Sequence, residues 1–271
     1  MSARTPHIIV LPGASGKPLD LTILTNEGNF TSVTYPGWRR YIEPTFALEN
    51  WMVELSSQIE RIVPEGPIRI LGFSIGAHFG YATALRLRKT GREITGFCAL
   101  DSFMLANSAP NEGWKRRALA DAISLFRERR IKELGSFAHL RLWRALLRFP
   151  RGRLPRLLRL SRGLTSTLAR DVLFENELNM RLLVQMSVPW MIRMNLDPVP
   201  LSVPTIVMRT EELQRDDEAW RRRCPTARII ALPGTHKSTI ELLEDAKAVE
   251  PIYSRECIYR LREAFSSVMC G

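Results

Sequence analysis

Ile68-Arg69-Ile70-Leu71-Gly72-Phe73-Ser74-Ile75-Gly76-Ala77 is the stretch that decides the fold of this 271-residue chain. An apolar, β-branched run rises out of Pro67. It turns sharply across Gly72–Gly76 and passes at once into a helix-compatible run from Ala77 to Lys89. Strand, tight turn and helix with a serine at the tip is the pattern of a nucleophile elbow, in which a strained serine lifts its Oγ clear of the sheet. The glycines two before and two after sit where strand and helix pass too closely for a Cβ. Gly-x-Ser-x-Gly is short and recurs by chance. The strand before it and the helix after it give it weight.

Working outward, His7-Ile8-Ile9-Val10-Leu11 reads as a buried strand running into the small-residue loop Pro12-Gly13-Ala14-Ser15-Gly16. Thr31 to Tyr35 reads as a second strand, ended by Pro36-Gly37. Thr45 can cap a helix from about Phe46 to Val63, whose Leu48, Trp51, Met52, Leu55, Ile59 and Ile62 keep the helical period. After the elbow helix, Gly91 breaks the chain. Glu93 to Leu100 is another buried strand, with Asp101-Ser102 at its carboxyl end. The alternation predicts an α/β fold: a mostly parallel sheet wound with helices, with its chemistry at the carboxyl ends of the strands.

The alternation then stops. From Trp114 to Trp190 only helical spacings remain, punctuated by Gly152, Pro155 and Gly163. Strands resume at Pro204–Met208 and Ala227–Leu232. A loop, Pro233-Gly234-Thr235-His236-Lys237-Ser238, follows the latter, and a closing helix runs from about Pro251 to Ser266. The expected organisation is an α/β-hydrolase core in two parts, 1–103 and 204–271, around a helical lid insertion at 104–203. That insertion carries the basicity. Between Trp114 and Arg170 sixteen Lys and Arg face three acids, so the rest of a chain of net charge +11 is slightly acidic.

At 45% hydrophobic and 25% charged residues, the composition suits one large α/β domain with an insertion. The first residues show no basic n-region followed by an apolar segment, and no apolar run is long enough to span a membrane. Cys98, Cys224, Cys257 and Cys270 are scattered without metal-ligand spacing. A cytoplasmic protein with reduced thiols is expected.

A serine hydroxyl needs an adjacent base. His7 begins a strand, His139 lies in the insertion, and His78 is one turn into the elbow helix, where packing or capping suits it better than proton transfer. His236, in a loop after a late strand, is left as the base. For the acid that orients it, two sites compete: Asp101, and the group Glu211, Glu212, Asp216 and Asp217. Both keep the Ser, acid, His order of an α/β-hydrolase. Asp101 is preferred, because a right-handed crossover sets its strand beside the elbow strand. The oxyanion donors would be the N–H of Ile75 and, from the first loop, that of Ala14. No phosphate loop, His-Glu-x-x-His or Cys/His cluster is present, so no cofactor and no metal are expected.

Together these residues resemble the type I thioesterase domains that end nonribosomal peptide and polyketide assembly lines. Val63-Pro64-Glu65-Gly66-Pro67 with the elbow run, Leu11-Pro12-Gly13-Ala14, Leu100-Asp101-Ser102, Asp217-Glu218-Ala219-Trp220 and Pro233-Gly234-Thr235-His236 carry the likeness, over roughly 1–103 and 204–265. The resemblance implies hydrolysis or cyclisation of acyl chains delivered as thioesters on the phosphopantetheine of an acyl or peptidyl carrier protein, through an acyl-enzyme on Ser74. Ala77 departs from a common glycine, and with no carrier domain before Met1 a stand-alone enzyme and an excised terminal domain both stay open. Two other readings also stay open: a carboxylesterase acting on free small esters, and a binding module whose basic helices dock an anionic surface. The basic segment reads equally as a solvated arginine face or as a dock for the acidic carrier. Nucleic acid is a minor third reading, unsupported by interleaved aromatics.

Overall fold

The structure, a computed structural model, describes residues 6–19, 21, 24, 29–103, 114–148, 153–236, 239 and 255–269. Its six strands form one parallel sheet: β1 (His7–Leu11), β2 (Phe30–Ser32), β3 (Ile68–Phe73), β4 (Ile94–Leu100), β5 (Thr205–Thr210) and β6 (Ala227–Leu232), in the order β2-β1-β3-β4-β5-β6. Strands β3 and β5 are buried along their whole length and β1 and β4 almost so, which is why they read as continuous apolar runs: a parallel sheet is covered on both faces. The edge strands β2 and β6 are only partly buried.

The strand order reverses between β1 and β3. From β1 the chain first moves outward to β2, then crosses to the other side and continues to β6. In such sheets the crevice opens at that reversal, beyond the carboxyl ends of the two strands. The loop after β1 and the turn after β3 therefore flank one opening, with Leu11 paired to Gly72.

One face of the sheet packs Ile8, Val10, Leu71, Phe73, Cys98, Leu100, Ile206 and Met208 against Leu261, Phe265 and Met269 of α10 (Arg255–Met269). The other face is covered by α2 (Leu48–Ile62), whose Leu48, Trp51, Met52, Leu55 and Ile59 are buried, and by α3 (Ile75–Lys89). There Tyr35, Trp51 and Phe79 meet edge to face, with ring centroids 5.0–5.7 Å apart.

Local details differ from the sequence reading at chain ends. The second strand ends at Ser32, because after Val33 donates to the Val10 carbonyl the chain turns away and Tyr35 sends its hydroxyl to Pro12 O (2.7 Å). A short helix, α1 (Trp38–Tyr41), precedes α2, and α2 starts after Ala47 without a side-chain cap, so Thr45 is not its N-cap. Closing helix α10 runs to Met269; residues 251–254 of its expected start and 237–238 of the histidine loop lie outside the described residues.

Contacts divide the chain into two compact units. One comprises Met1–Tyr35, Ala47–Met104 and Trp190–Gly271; the other comprises Pro36–Phe46 and Leu105–Pro189. The second unit is helical: α1, α4 (Trp114–Arg127), α5 (Ile131–Arg148), α6 (Leu154–Leu160), α7 (Arg162–Leu168) and α8 (Val172–Leu196) as far as Pro189. It takes in residues before the expected insertion because Trp38 donates its backbone N–H to Asn179 Oδ1 (2.6 Å). It ends before residue 203 because Trp190 packs on Phe79 of the first unit's own core, 5.8 Å between centroids. Within the second unit, Arg144 places Nε and Nη2 on Oε1 of the buried Glu177 (2.8 and 2.7 Å), beside the Trp143–Phe174 edge contact. Arg153, Arg156, Arg159 and Arg162 are all exposed along α6 and its ends, among the exposed Leu157, Leu160 and Leu164.

Glycine is required where β3 turns into α3. A Cβ on Gly76 would stand 2.3 Å from the carbonyl oxygens of Leu11 and Pro12, and one on Gly72 2.3 Å from the Ala77 Cα, all rigid backbone. Gly163, in α7, faces open space. Gly76→Ala is expected to cost about 1–3 kcal/mol or more in urea unfolding, whereas Gly163→Ala should gain about 0.5–1 kcal/mol. Equal effects of the two substitutions would show that the elbow is not tightly packed.

Candidate active site

Ser74 stands at the N-cap of α3 with φ 53°, a left-handed conformation that a residue with a Cβ rarely adopts. Its backbone is pinned by the N–H bond to Leu100 O (2.9 Å), and its side chain makes no cap bond to the helix. Oγ is thereby left for another partner, and Nε2 of His236 lies 3.2 Å away. His236 sits just after β6, its ring stacked on Phe73 with centroids 5.5 Å apart and planes within 11°. Its Nδ1 is 2.7 Å from Asp101 Oδ2. An ionised carboxylate only accepts, so Nδ1 carries the proton and Nε2 turns its lone pair toward Ser74.

Asp101 leaves β4 with φ 45° and is fully buried. Its N–H bonds Met208 O (2.6 Å), and its Oδ1 accepts both the N–H and the hydroxyl of Thr210 (each 2.9 Å). Burial pushes the carboxyl's pKa up. The hydrogen bond and charge of His236, with the two Thr210 bonds, outweigh it and hold the group below its ordinary value. Two donors occupy one oxygen and leave the other for the imidazole.

The loop after β1 closes as a turn, with Gly16 N–H on Gly13 O (3.0 Å) and Tyr35 holding Pro12. A Cβ on Gly13 would lie 3.0 Å from the Phe73 ring and 3.6 Å from Ser74 Cβ, so the loop passes directly beside the serine. The half-buried Ala14 is in that turn. Ile75, as the first residue of α3, has no carbonyl four residues back within the helix for its N–H.

The remaining candidates are engaged elsewhere. His7 bonds Thr31 Oγ1 (2.9 Å) and His139 lies 3.1 Å from Asp171. His78 sits between the Phe103 carbonyl and Arg223 (2.8 Å each). Burial, then the charge of Arg223, pulls its pKa down to about 3 against the raising effect of the Phe103 bond, so it is neutral at physiological pH. Asp217 pairs both oxygens with Arg209 (2.8 Å each), Glu211 is exposed and Asp216 is buried; the Glu212 side chain lies outside the described residues. Among the described residues, no group of three or more His, Cys, Asp or Glu could hold a metal ion and no helix is long and apolar enough to cross a membrane. Cys98 and Cys224 are free and buried. Sequence reasoning missed Thr210 and Phe73. A polar residue ending a buried strand was the available signal for Thr210; nothing in one dimension marks the stacking of Phe73 on a residue 163 positions away.

Residues 11–151 match the family model of the thioesterase domain. No curated protein matches the chain in sequence. Among solved structures, the chain is similar to the Vlm2 thioesterase domain with genetically encoded 2,3-diaminopropionic acid bound with a dodecadepsipeptide (17% identity, TM-score 0.59, covering 100% of this chain and 96% of that one). It is similar also to the NocB thioesterase domain in covalent complex with a fluorophosphonate nocardicin G analog (18%, 0.56, 99% and 96%). A third likeness is to the four-domain nonribosomal peptide synthetase holo-AB3403 bound to AMP and glycine (15%, 0.54, 98% of this chain and 19% of that one). At these identities the structural likeness bears on the fold.

Thr210→Val removes a hydrogen bond to a buried charge and is expected to lower the unfolding free energy by about 1.5–3 kcal/mol at pH 7. Because Asp101's carboxyl is held below its ordinary value in the folded state, its contribution is present above that value and is lost as pH falls through the folded one. The gap between variant and wild type should therefore narrow in acid. An equal loss in urea melts at pH 7 and pH 3 would mean that the hydroxyl only packs.

Proposed function

Because this chain belongs to the thioesterase domain family, we propose that it is a serine thioesterase releasing an acyl or peptidyl chain from the phosphopantetheine arm of a carrier protein. Ser74 is the nucleophile, His236 the general base and acid, and Asp101 the group that orients His236. The N–H groups of Ile75 and Ala14 receive the oxyanion. The observation that carries this reading is the unbroken line of hydrogen bonds from Ser74 Oγ through His236 to Asp101, starting at a serine held at positive φ.

His236 Nε2 takes the Ser74 proton as Oγ attacks the thioester carbonyl, and the resulting imidazolium is stabilised by Asp101 across the 2.7 Å contact. The oxyanion forms between the loop after β1 and the start of α3, where the N–H groups of Ala14 and Ile75 are assigned to receive it. His236 then returns its proton to the departing thiolate sulfur, leaving an ester on Ser74 and a free phosphopantetheine thiol. In the second half, water or a nucleophile on the acyl chain itself gives its proton to Nε2 and attacks the ester. Collapse of that intermediate returns the proton to Ser74 Oγ.

The presence of a dodecadepsipeptide in one similar domain and a nocardicin G analog in another supports a peptidyl or related acyl chain as the substrate. The helical insertion at 104–203, with its excess of Arg and Lys, is the part we assign to docking the acidic carrier. Its exposed arginines and absence of acids between Glu133 and Arg170 support that assignment.

Ser74→Ala is expected to abolish acyl-enzyme formation and lower turnover about a thousandfold or more with the fold intact. Asp101→Asn, which keeps shape but removes the charge, should lower kcat on the order of ten-thousandfold. Intact mass after incubation with an acyl thioester reads the adduct directly; near-wild-type turnover by Ser74→Ala overturns the assignment. For docking, kcat/KM on a carrier-bound substrate should fall with added salt more steeply than on a small thioester, since salt weakens charge steering. Equal salt dependence for both substrates counts against carrier docking on the basic helices.

A further inference from the structure

Arg223, the last residue of α9 (Asp217–Arg223), is 1% exposed, and its described partners carry no negative charge. Nη1 donates to His78 Nδ1 (2.8 Å), Nη2 donates to Asn195 Oδ1, and the guanidinium carbon lies 4.9 Å from the Tyr81 ring centroid and 5.7 Å from that of Trp220. Burying a cation against neutral groups is costly, and an apolar side chain of similar volume would serve stability better. Burial lowers its pKa to about 10, so it remains charged at neutral pH.

We propose that Arg223 and His78 are positioning residues that hold the backbone carrying the catalytic acid. This rests on the reading of Ser74, His236 and Asp101 given above. A guanidinium has donors only, so His78 Nδ1 must accept and Nε2 must carry the proton. That proton points at the Phe103 carbonyl, 2.8 Å away, two residues beyond Asp101. The intervening carbonyl, of Ser102, accepts from Trp220 Nε1 (3.4 Å), on the same helix as Arg223. Asp101 itself has φ 45°, a backbone state that persists only where neighbours over-determine it. Thr210 fixes the carboxylate from the front. His78 and Trp220 fix the chain behind it, and Arg223 ensures that His78 is always the donor. Because His78 lies on α3, directly after the nucleophile, one chain of bonds ties the helix bearing Ser74 to the segment bearing Asp101.

The test uses the full chain, a fluorophosphonate probe and a small acyl thioester. It reads the rate constant for labelling Ser74, the final labelled fraction by intact mass, and kcat and KM separately. His78→Ala removes the link. His78→Asn keeps a group for Arg223 but does not reach Phe103, and serves should the alanine variant fail to fold. His78→Gln restores a donor and an acceptor. The broken-link variants are expected to reach full labelling but at a rate constant about ten- to a hundredfold lower, the scale of loss from a displaced catalytic group. Loss in kcat should follow labelling, KM should stay within about twofold of wild type, and His78→Gln should recover most of the rate. Arg223→Met should slow labelling as His78→Ala does.

A purely structural role would lower the labelled fraction at an unchanged rate per site. That result, wild-type rates throughout, or a glutamine variant as slow as the alanine one overturns the proposal. A wild-type protein that the probe does not label overturns instead the Ser74 reading on which the proposal stands.

Discussion

The structure depends on how closely β3 and α3 are allowed to approach. Gly72 and Gly76 remove the two Cβ atoms that would strike backbone, one against the start of α3 and the other against the Leu11 and Pro12 carbonyls. That approach forces Ser74 into positive φ, aims its Oγ away from the helix, and brings the loop after β1 alongside it. The placement of Ser74 and of the loop beside it therefore arises from one packing constraint and does not depend on flexible side chains.

The second constraint is the buried carboxylate. A lone Asp101 in that position would be driven toward its neutral form. Thr210 and His236 between them occupy both oxygens and keep it ionised. Their contributions come from three strands: β4 delivers the acid, β5 the threonine, and the loop after β6 the histidine. Adjacent strands in a parallel sheet end at the same level, so residues distant in sequence meet at one rim. The buried Arg223, which reaches the 101–103 segment through His78, likewise has defined partners in His78 and Asn195.

Much of this was legible in the chain because it rests on local patterns. The apolar run before Gly72, the glycine spacing around Ser74 and the helical period after it specify strand, turn and helix within a dozen residues. His236 emerged by the poor fit of three other histidines to proton transfer, and those three have other partners in the structure. Asp101 could be preferred but not separated from the acids after β5, since both follow strands at the same rim. In the structure Asp101 faces the imidazole, and Arg209 takes both oxygens of Asp217. Strand and helix ends were the least legible. Tyr35 left the second strand for a hydrogen bond to Pro12, and α2 began without the cap that Thr45 offered.

What the sequence by itself determined is the α/β architecture and the serine at its elbow, because these depend on residue periodicity and on glycines whose spacing is local, and the thioesterase family, which its motifs resemble and the family model matches. What only the tertiary structure decided is which side chains share a buried space. The stacking of Phe73 on His236, the two bonds from Thr210 to Asp101 and the Arg223–His78–Phe103 chain join residues 25 to 163 positions apart. No periodicity encodes such pairs. They exist because a parallel sheet gathers the ends of its strands and the helices packed on it into one desolvated region, where an unpaired polar group is costly.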